Sequence, residues 1–594
     1  KVALERLIAR RVFTSSRCLT LAGGDSIMEL TLPKIIVADR LRHRHFAIFK
    51  RPASVLLFLL IAAAVYWLWF GLGHRSINSD DGISIIAAEG VLRHGLPELP
   101  SGFLYHRGYV SSYLQAASIG IFGLNDFSIL LASLVMSLGS IWLTYLIARD
   151  ITGKPWLGVI AATLLVTLQA QTIYATGPRM YMPLQFFAAL AVYAAWRGYL
   201  FNSGKFQLIT LLSIGAAILS HRQAGLLLIA IPASIALATW VQGKTIPKLH
   251  FWQNALGLTA VMATAYFVFI YGPPNEVVSI AVHSGSAISH VGLQLSPLNF
   301  GKHLLNLERA VPAGISMLPV MAVVAAVTLN RRSKSRADNG MLFLMMVFVV
   351  QALLIPLVLK TTGVRFWVPL LPIYVVLIVM SLASIVTAAR TLSGAGLRVE
   401  MGFGKSRLNS NVAVLGALAV GIVASIVLSA LSPAVGFVEN FVSGYGKPGQ
   451  QSEWGSGVEA HYAGLQSHVG PGDLIISSNP WISYYYLGRV DGFLREKMVE
   501  SGGFAPFGEG VTDEYYGVPM IDSQHSLELL MNSDKQVWIV TDEKKLTTFS
   551  SENTRGFLEA NFAVFLSDGA MTTYVNCPGM DCSTAAAPGG VAAN

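Results

Sequence analysis

The chain is divided into uncharged apolar runs about as long as a lipid bilayer is thick. Pro52–Phe70 (PASVLLFLLIAAAVYWLWF) and Asn411–Ser432 show this most plainly. A helix crosses the ~30 Å hydrocarbon layer in about 20 residues. Lipid offers no partner to a backbone amide, so such a run must satisfy its own hydrogen bonds as a helix. Only 13% of the residues are charged, against about 25% in an ordinary soluble domain. The shortage falls in the apolar runs. The expected fold is therefore a mainly α polytopic membrane protein with about eleven spans.

The charge is unevenly placed. From Pro433 to the end there are 8 Lys and Arg against 19 Asp and Glu. The tail thus carries a net −11 and the rest of the chain +20, within the overall +9. Basic excess in the loops of a membrane protein sets orientation, so this charge gives no argument for nucleic acid. Residues 1–52 hold 11 Lys and Arg against 4 Asp and Glu, which places them inside. They read as a basic cytoplasmic segment and not as a signal peptide. Its start, KVALERLIARRVF, reads equally as an amphipathic surface helix or a flexible tail.

Expected spans are 53–71, 127–148, 156–173, 184–200, 206–220, 223–241, 253–271, 311–329, 341–359, 366–389 and 411–432. Strongly basic connections, RRSKSR at 331–336 above all, then fall on one side. Loops 72–126 and 272–310 fall on the other. The transmembrane part is 53–432, and 433–594 is a soluble extracytoplasmic domain on a plasma or inner membrane. In that tail DLIISS and QVWIVT read as buried strands, and SLELLMN between them as helix. Together they predict a small α/β domain. Cys577 and Cys582 in CPGMDC are close enough to pair in an oxidising compartment.

Loop 72–126 carries the chemistry-bearing residues. It opens on Asn78-Ser79-Asp80-Asp81-Gly82, close to the end of the first span. A carboxylate there can accept a proton or bind a cation. The plain alternative is that Asp80 or Asp81 caps the helix ISIIAAEGVLRHG. Farther on lie Tyr105, His106, Arg107, Gly108 and Tyr109, then SSYLQAASIGIFG, too short for a span and suited to the membrane plane. His283, His290 and His303 invite a metal reading, but spacings of seven and thirteen fit no zinc signature. No cofactor is assigned, and a divalent metal is not favoured. His221-Arg222 lies at a break between spans on the outward side. Tyr484, Tyr485 and Tyr486 read first as packing residues.

These stretches together resemble a family. In the GT-C type membrane glycosyltransferases, the first span is followed by a long loop with an acidic pair and in-plane helices. Protein mannosyltransferases and lipid A aminoarabinose transferases (families 39 and 83) are of this kind. Asp80-Asp81 is similar to that pair, and Tyr105–Gly123 to the in-plane passage. TYLIARDITG resembles the end of the second span. Gly177-Pro178-Arg179-Met180-Tyr181 resembles the family's arginine turn. Arg365-Phe366-Trp367-Val368-Pro369 resembles the start of a late helix, and SSNPWISYYYLGRVD a passage in the tail. Two departures stand out. Asp81 stands where many members have Glu, and the 177–181 turn lacks an acidic residue. Nothing resembles the Trp-Trp-Asp motif of oligosaccharyltransferases.

The resemblance implies an inverting transferase of the cell envelope. It would take a sugar from a polyprenyl-phosphate donor and pass it to a hydroxyl on a protein, lipid or polysaccharide acceptor. Asp80 would be the general base, with Asp81 second. Arg365, Arg179, Arg107 and Lys360 would hold the phosphate, since guanidinium groups pair well with such anions. Arg365 reads alternatively as a snorkelling anchor. His106, Tyr181 and His221 would line the cavity. A transporter or flippase of lipid-linked sugars is the competing reading, with a non-catalytic assembly subunit behind it. The charges gather at span ends and not at the midplane, which favours surface chemistry.

Overall fold

The computed structural model describes most of residues 52–394 and 457–576. Residues 1–51, 73–78, 270–296, 312–316, 325–335, 395–456, 497–512 and 577–594, with a few shorter gaps, lie outside the described residues. So do the expected last span at 411–432, most of the one at 311–329, and all three cysteines. The chain divides into two units, Lys1–Ser54 and Val55–Asn594. All the candidate site residues belong to the second unit.

The chain is an integral membrane protein built on apolar helices. After α1 (Pro52–Leu72) come α2 (Ser79–His94) and α3 (Tyr109–Phe122). Then come α4 (Asp126–Thr152), α5 (Pro155–Thr167), α6 (Gln169–Ala175), α7 (Tyr181–Tyr199), α8 (Gly204–Ser220), α9 (Leu227–Val241) and α10 (Phe251–Phe269). The last helices of this part are α11 (Pro297–Ala310), α12 (Arg336–Val358) and α13 (Leu371–Gly394). Among the described residues, four helical segments are long and apolar enough to cross a membrane, or five with a bent pair. The expected figure of about eleven is thus not established. Helices α4, α5, α7 and α13 pack together, while α8 joins α7 to α10. At the C-terminal end of α4, Asp150 accepts from Arg149 Nε at 2.7 Å, Tyr193 Oη at 2.7 Å and Arg197 at 3.0 Å, tying α4 to α7.

Three expected spans differ from straight helices. The third bends by 68° between α5 and α6, at Leu168. The sixth begins as a 3-10 turn, Arg222–Leu226. The tenth begins as two, Val364–Phe366 and Val368–Leu370. Each break frees carbonyls that a regular helix would occupy, and lipid cannot supply donors. In the tenth, buried amides do so instead. Gln223 Nε2 donates to the Phe366 carbonyl at 2.6 Å, and Gln185 Nε2 to that of Val368 at 2.9 Å. Gln185 also donates to Gln171 Oε1 at 2.9 Å, and Gln171 to Ser137 Oγ at 2.8 Å. Gln185 and Ser137 are sealed from solvent, and Gln171 and Gln223 nearly so.

The tail is the expected α/β domain. It holds α14 (Gly457–Gln466), β1 (Leu474–Ser477), α15 (Pro480–Leu487), β2 (Gly492–Leu494) and β3 (Met520–Ile521). It closes with α16 (Gln524–Met531), β4 (Val537–Thr541), α17 (Glu552–Asn561), β5 (Ala563–Ser567) and β6 (Thr572–Val575). The sheet order is β3-β2-β1-β4-β6-β5. The first four strands are parallel, and β6 and β5 run antiparallel. Parallel strands covered on both faces read as unbroken apolar runs, which is why β1 and β4 are visible in the sequence. One face packs Ile476, Val537 and Ile539 against Leu527 of α16 and Leu558 of α17.

The other face does not close on its own helices. Trp538, Val540 and Val575 share a core with Tyr462 and Ile482, and also with Ile85 and Ala88 of α2, Ala116 and Ile119 of α3, and Ile129 of α4. Helix α2 lies between the membrane bundle and the sheet. Gly82 makes this approach possible: a Cβ there would sit 3.1 Å from Trp481 Cβ and 3.2 Å from its carbonyl oxygen.

Replacing Gln223 by Leu should leave the Phe366 carbonyl without a donor. We expect a cost of about 1–3 kcal/mol, read as a lower melting temperature of the purified protein in detergent. An unchanged melting temperature would show that water replaces the amide.

Candidate active site

Four chain segments meet at the end of the bundle beside α2. The first is the approach to α3. Gly108 holds φ at +95°, a left-handed conformation that suits glycine. A Cβ on it would stand 3.0 Å from Met180 Cβ and 3.5 Å from the Ser220 carbonyl oxygen. The glycine thus lets the Arg107 segment touch the other two segments, the 177–181 turn and the α8 terminus. The fourth, Gly363–Leu370, is tied to α8's continuation by the Gln223–Phe366 bond.

His221 stands at the centre, in the break between α8 and the 3-10 turn. Its Nδ1 accepts from the backbone N–H of Gln223 at 3.2 Å. Its ring centroid is 5.9 Å from that of the buried Tyr181, which in turn lies 5.6 Å from the Arg179 guanidinium. Burial is the largest pressure on the imidazole, and then the positive charges of Arg222, Arg365, Arg107 and Arg179. Together they push its pKa down to about 3. Arg365 also lies against the Phe366 ring at 5.1 Å. So Arg365, Arg179 and Arg107, far apart in sequence, are brought together around His221 and Tyr181.

Other named residues fall elsewhere. Asp80 and Asp81 lie in the first turn of α2 and not ahead of it as its cap. Acidic groups are favoured there by the helix dipole. The Asp81 side chain has no exposed surface, and Gly82 beside it meets Trp481. Tyr105, two residues before Arg107, packs with Ile86 and Ala87 of the same helix. One loop therefore carries both the acidic pair and the first arginine. His106 and Lys360 lie outside the described residues, as do His283 and His290. His303 lies in α11, buried, its Nε2 3.3 Å from the Leu359 carbonyl oxygen, and burial lowers its pKa. Among the described residues no group of three or more His, Cys, Asp or Glu is placed to hold a metal ion.

An apolar cavity of about 280 Å³ lies between α3 and α8, lined by Tyr109, Val110, Tyr113 and Leu114 of α3 and Leu219 of α8; Tyr109 and Leu219 are each two residues from Arg107 and His221 in sequence. The glutamines that hold the broken segments, and this cavity, were not read from sequence. The glutamines had a usable signal: an amide inside an apolar span is expensive unless it has a task. In the tail, His461 stands between Asp568 at 3.1 Å and Thr573 Oγ1 at 2.8 Å. This arrangement looks like a hydrolytic triad, but His461 is buried and Thr573 fully so.

Residues 106–269 match the family described as Dolichyl-phosphate-mannose-protein mannosyltransferase. No curated protein matches the chain in sequence. Two solved structures of ArnT from Cupriavidus metallidurans superpose on it at 14% identity, covering 90% of this chain and 99% of theirs. Their TM-scores are 0.55 in the apo state and 0.56 for the form bound to undecaprenyl phosphate. The chain shares the fold of these ArnT structures. The resemblance to the mannosyltransferase and aminoarabinose transferase families therefore stands. The matched segment, 106–269, begins at the approach to α3 and runs through α10, so three of the four clustered arginines and His221 lie within it.

Gly108→Ala should strain a left-handed position and press on Met180 together. A left-handed residue other than glycine costs about 1–2 kcal/mol. The expected result is a lower melting temperature of the purified protein in detergent. An unchanged melting temperature would mean that the close approach of Gly108 to Met180 does not hold this segment in place.

Proposed function

We propose that the chain is a glycosyltransferase that moves a sugar from a polyprenyl-phosphate donor to an acceptor hydroxyl at the extracytoplasmic face of the membrane. The observation that carries this is the meeting of the Arg107 segment with Met180 and Ser220, and of Arg179 with Tyr181 and His221, where the charges of Arg107, Arg179, Arg222 and Arg365 all act on one ring, together with the apolar cavity between α3 and α8. A lipid-linked phosphate needs both: permanent cations for its head group and a greasy channel for its chain. Tyr109 continues directly from Arg107 and Gly108, and Leu219 lies two residues before His221. The head group and the first isoprene units would therefore lie on one continuous surface. That the related ArnT structure is bound to undecaprenyl phosphate supports the same reading.

Catalysis would rest on charge. As the anomeric carbon–oxygen bond breaks, negative charge grows on the departing phosphate. Guanidinium groups already in place stabilise that charge without reorganising. The acceptor hydroxyl must lose its proton as it attacks. Asp80 is the proposed base, with Asp81 second. A carboxylate opposite the leaving group gives single displacement and inversion. The α/β domain against α2 would keep bulk water from this carboxylate, strengthening every charge interaction there. It would also choose the acceptor, be it protein, lipid or polysaccharide.

The same geometry argues against a transporter of lipid-linked sugars. The arginines sit at helix breaks at one end of the bundle, whereas a carrier needs its site near the midplane.

Two sets of variants test the reading. Asp80→Asn and Asp81→Asn are each expected to keep the fold, and Asp80→Asn to lower the transfer rate by at least about 100-fold, the usual scale of a general base. A full rate in the folded Asp80→Asn protein would remove the assigned base. Arg365→Ala should weaken binding of undecaprenyl phosphate by about 10- to 100-fold, one charge-assisted hydrogen bond's worth. Arg365→Lys should recover part of it. If the lipid binds all of these proteins alike, the phosphate is held elsewhere.

A further inference from the structure

Within the proposed donor site one group is neither a guanidinium nor a carboxylate, and its tautomer is set by the backbone. His221 Nδ1 accepts the Gln223 N–H at 3.2 Å. A neutral imidazole has one donor and one acceptor nitrogen, so its proton lies on Nε2. That nitrogen has no hydrogen-bond partner among the described residues. Among the described residues, the charges that act on the ring are Arg107 from the approach to α3, Arg179 from the turn before α7, Arg222 from its own 3-10 turn and Arg365 from the turn before α13, and Tyr181 lies beside it. All the charges among them are positive.

We propose that His221 is a proton-linked ligand of the donor phosphate: it donates from Nε2 to a phosphate oxygen, and occupancy of the site by that anion makes the imidazole take up a second proton. This rests on the proposed donor reading. With the site empty, four guanidinium charges and burial oppose a fifth positive charge, and the imidazole is neutral across the physiological range. A bound anion offsets those charges and accepts from the ring, which favours the imidazolium. The binding of anion and proton then reinforce each other, as linkage requires. His221 has its low pKa when the site is empty and a higher one when it is filled. Affinity for the anion therefore rises as pH falls through the pKa of the filled state. In that window it gains up to about tenfold per pH unit, the limit for one linked proton.

The probe should be a phosphodiester such as farnesyl methyl phosphate, which has no proton of its own to exchange near neutral pH. Its affinity for the full-length protein in nanodiscs is measured from about pH 5 to 8, the range in which a histidine switch operates, for wild type and for His221→Gln. Gln keeps a donor but cannot titrate. The expected result is an affinity that climbs at least several-fold as pH falls in wild type and stays flat in His221→Gln. Calorimetry of wild type in two buffers of different ionisation enthalpy gives a second measurement that needs no variant. It should show proton uptake on binding. If wild type binds the probe without proton uptake, or if the pH dependence survives in His221→Gln, this inference falls and the donor reading stands. If wild type does not bind the diester at any pH, the donor reading falls and takes this inference with it.

Discussion

A helix that breaks inside a membrane protein releases backbone carbonyls into a medium that offers them nothing. Everything distinctive about this bundle stems from how those carbonyls are satisfied. Gln223 reaches the Phe366 carbonyl, and Gln185 reaches that of Val368. Behind Gln185 stand Gln171 and Ser137. These amides do two things at once. They make the non-helical turns around Arg365 tolerable, and they fasten those turns to α4, α6, α7 and the segment after α8. The arginines could not converge if these spans ran straight. The 3-10 turns bring Arg365 in ahead of α13, where its charge acts on His221.

The site is thus a product of interruptions. The α8 terminus, the 177–181 turn, the left-handed Gly108 and the paired 3-10 turns are all places where the backbone leaves a regular path. Their polar side chains gather because the apolar helices leave no other place for them. Cations crowd together there around a buried ring, an arrangement that an anionic ligand would favour. Helix α2 faces a different constraint. It is too polar at its start for lipid and too apolar beyond for water, and it resolves this by lying under the sheet, with Gly82 against Trp481.

Much of this was legible from the residues. Apolar runs of bilayer length marked the spans, and α4 follows its expected 127–148 closely as Asp126–Thr152. In the structure Asn125 fixes its start, accepting from the Ser128 amide at 3.0 Å in a capping box. Unbroken β-branched runs marked β1 and β4. Motifs resembling the family's singled out Arg365, Arg179 and Arg107, whose charges act together on His221, but not Arg222. The breaks were not. Leu168 bends its span with neither Pro nor Gly at the bend, and hydropathy is nearly the same for an α-helix and a 3-10 turn. A one-dimensional reading of LLVTLQAQ cannot tell a straight rod from one bent by 68°. Nor does the sequence show that α2 would share a core with residues such as Val458 and Val575, because nothing local records a partner so distant.

That shared core has a consequence in time. Ribosomes make α2 and α3 hundreds of residues before α14, α15 and the sheet that cover them. At about 5–20 residues per second, the delay is on the order of tens of seconds. During it, the apolar faces around Ile85, Ala88 and Ile119 have no sheet to meet. The membrane surface is the nearest apolar refuge, and α3 already presents Ile121 and Phe122 outward. The loop would then wait on the bilayer and be lifted from it when the last strand, β6, completes the sheet. A chain cut short before Val575 would leave it there.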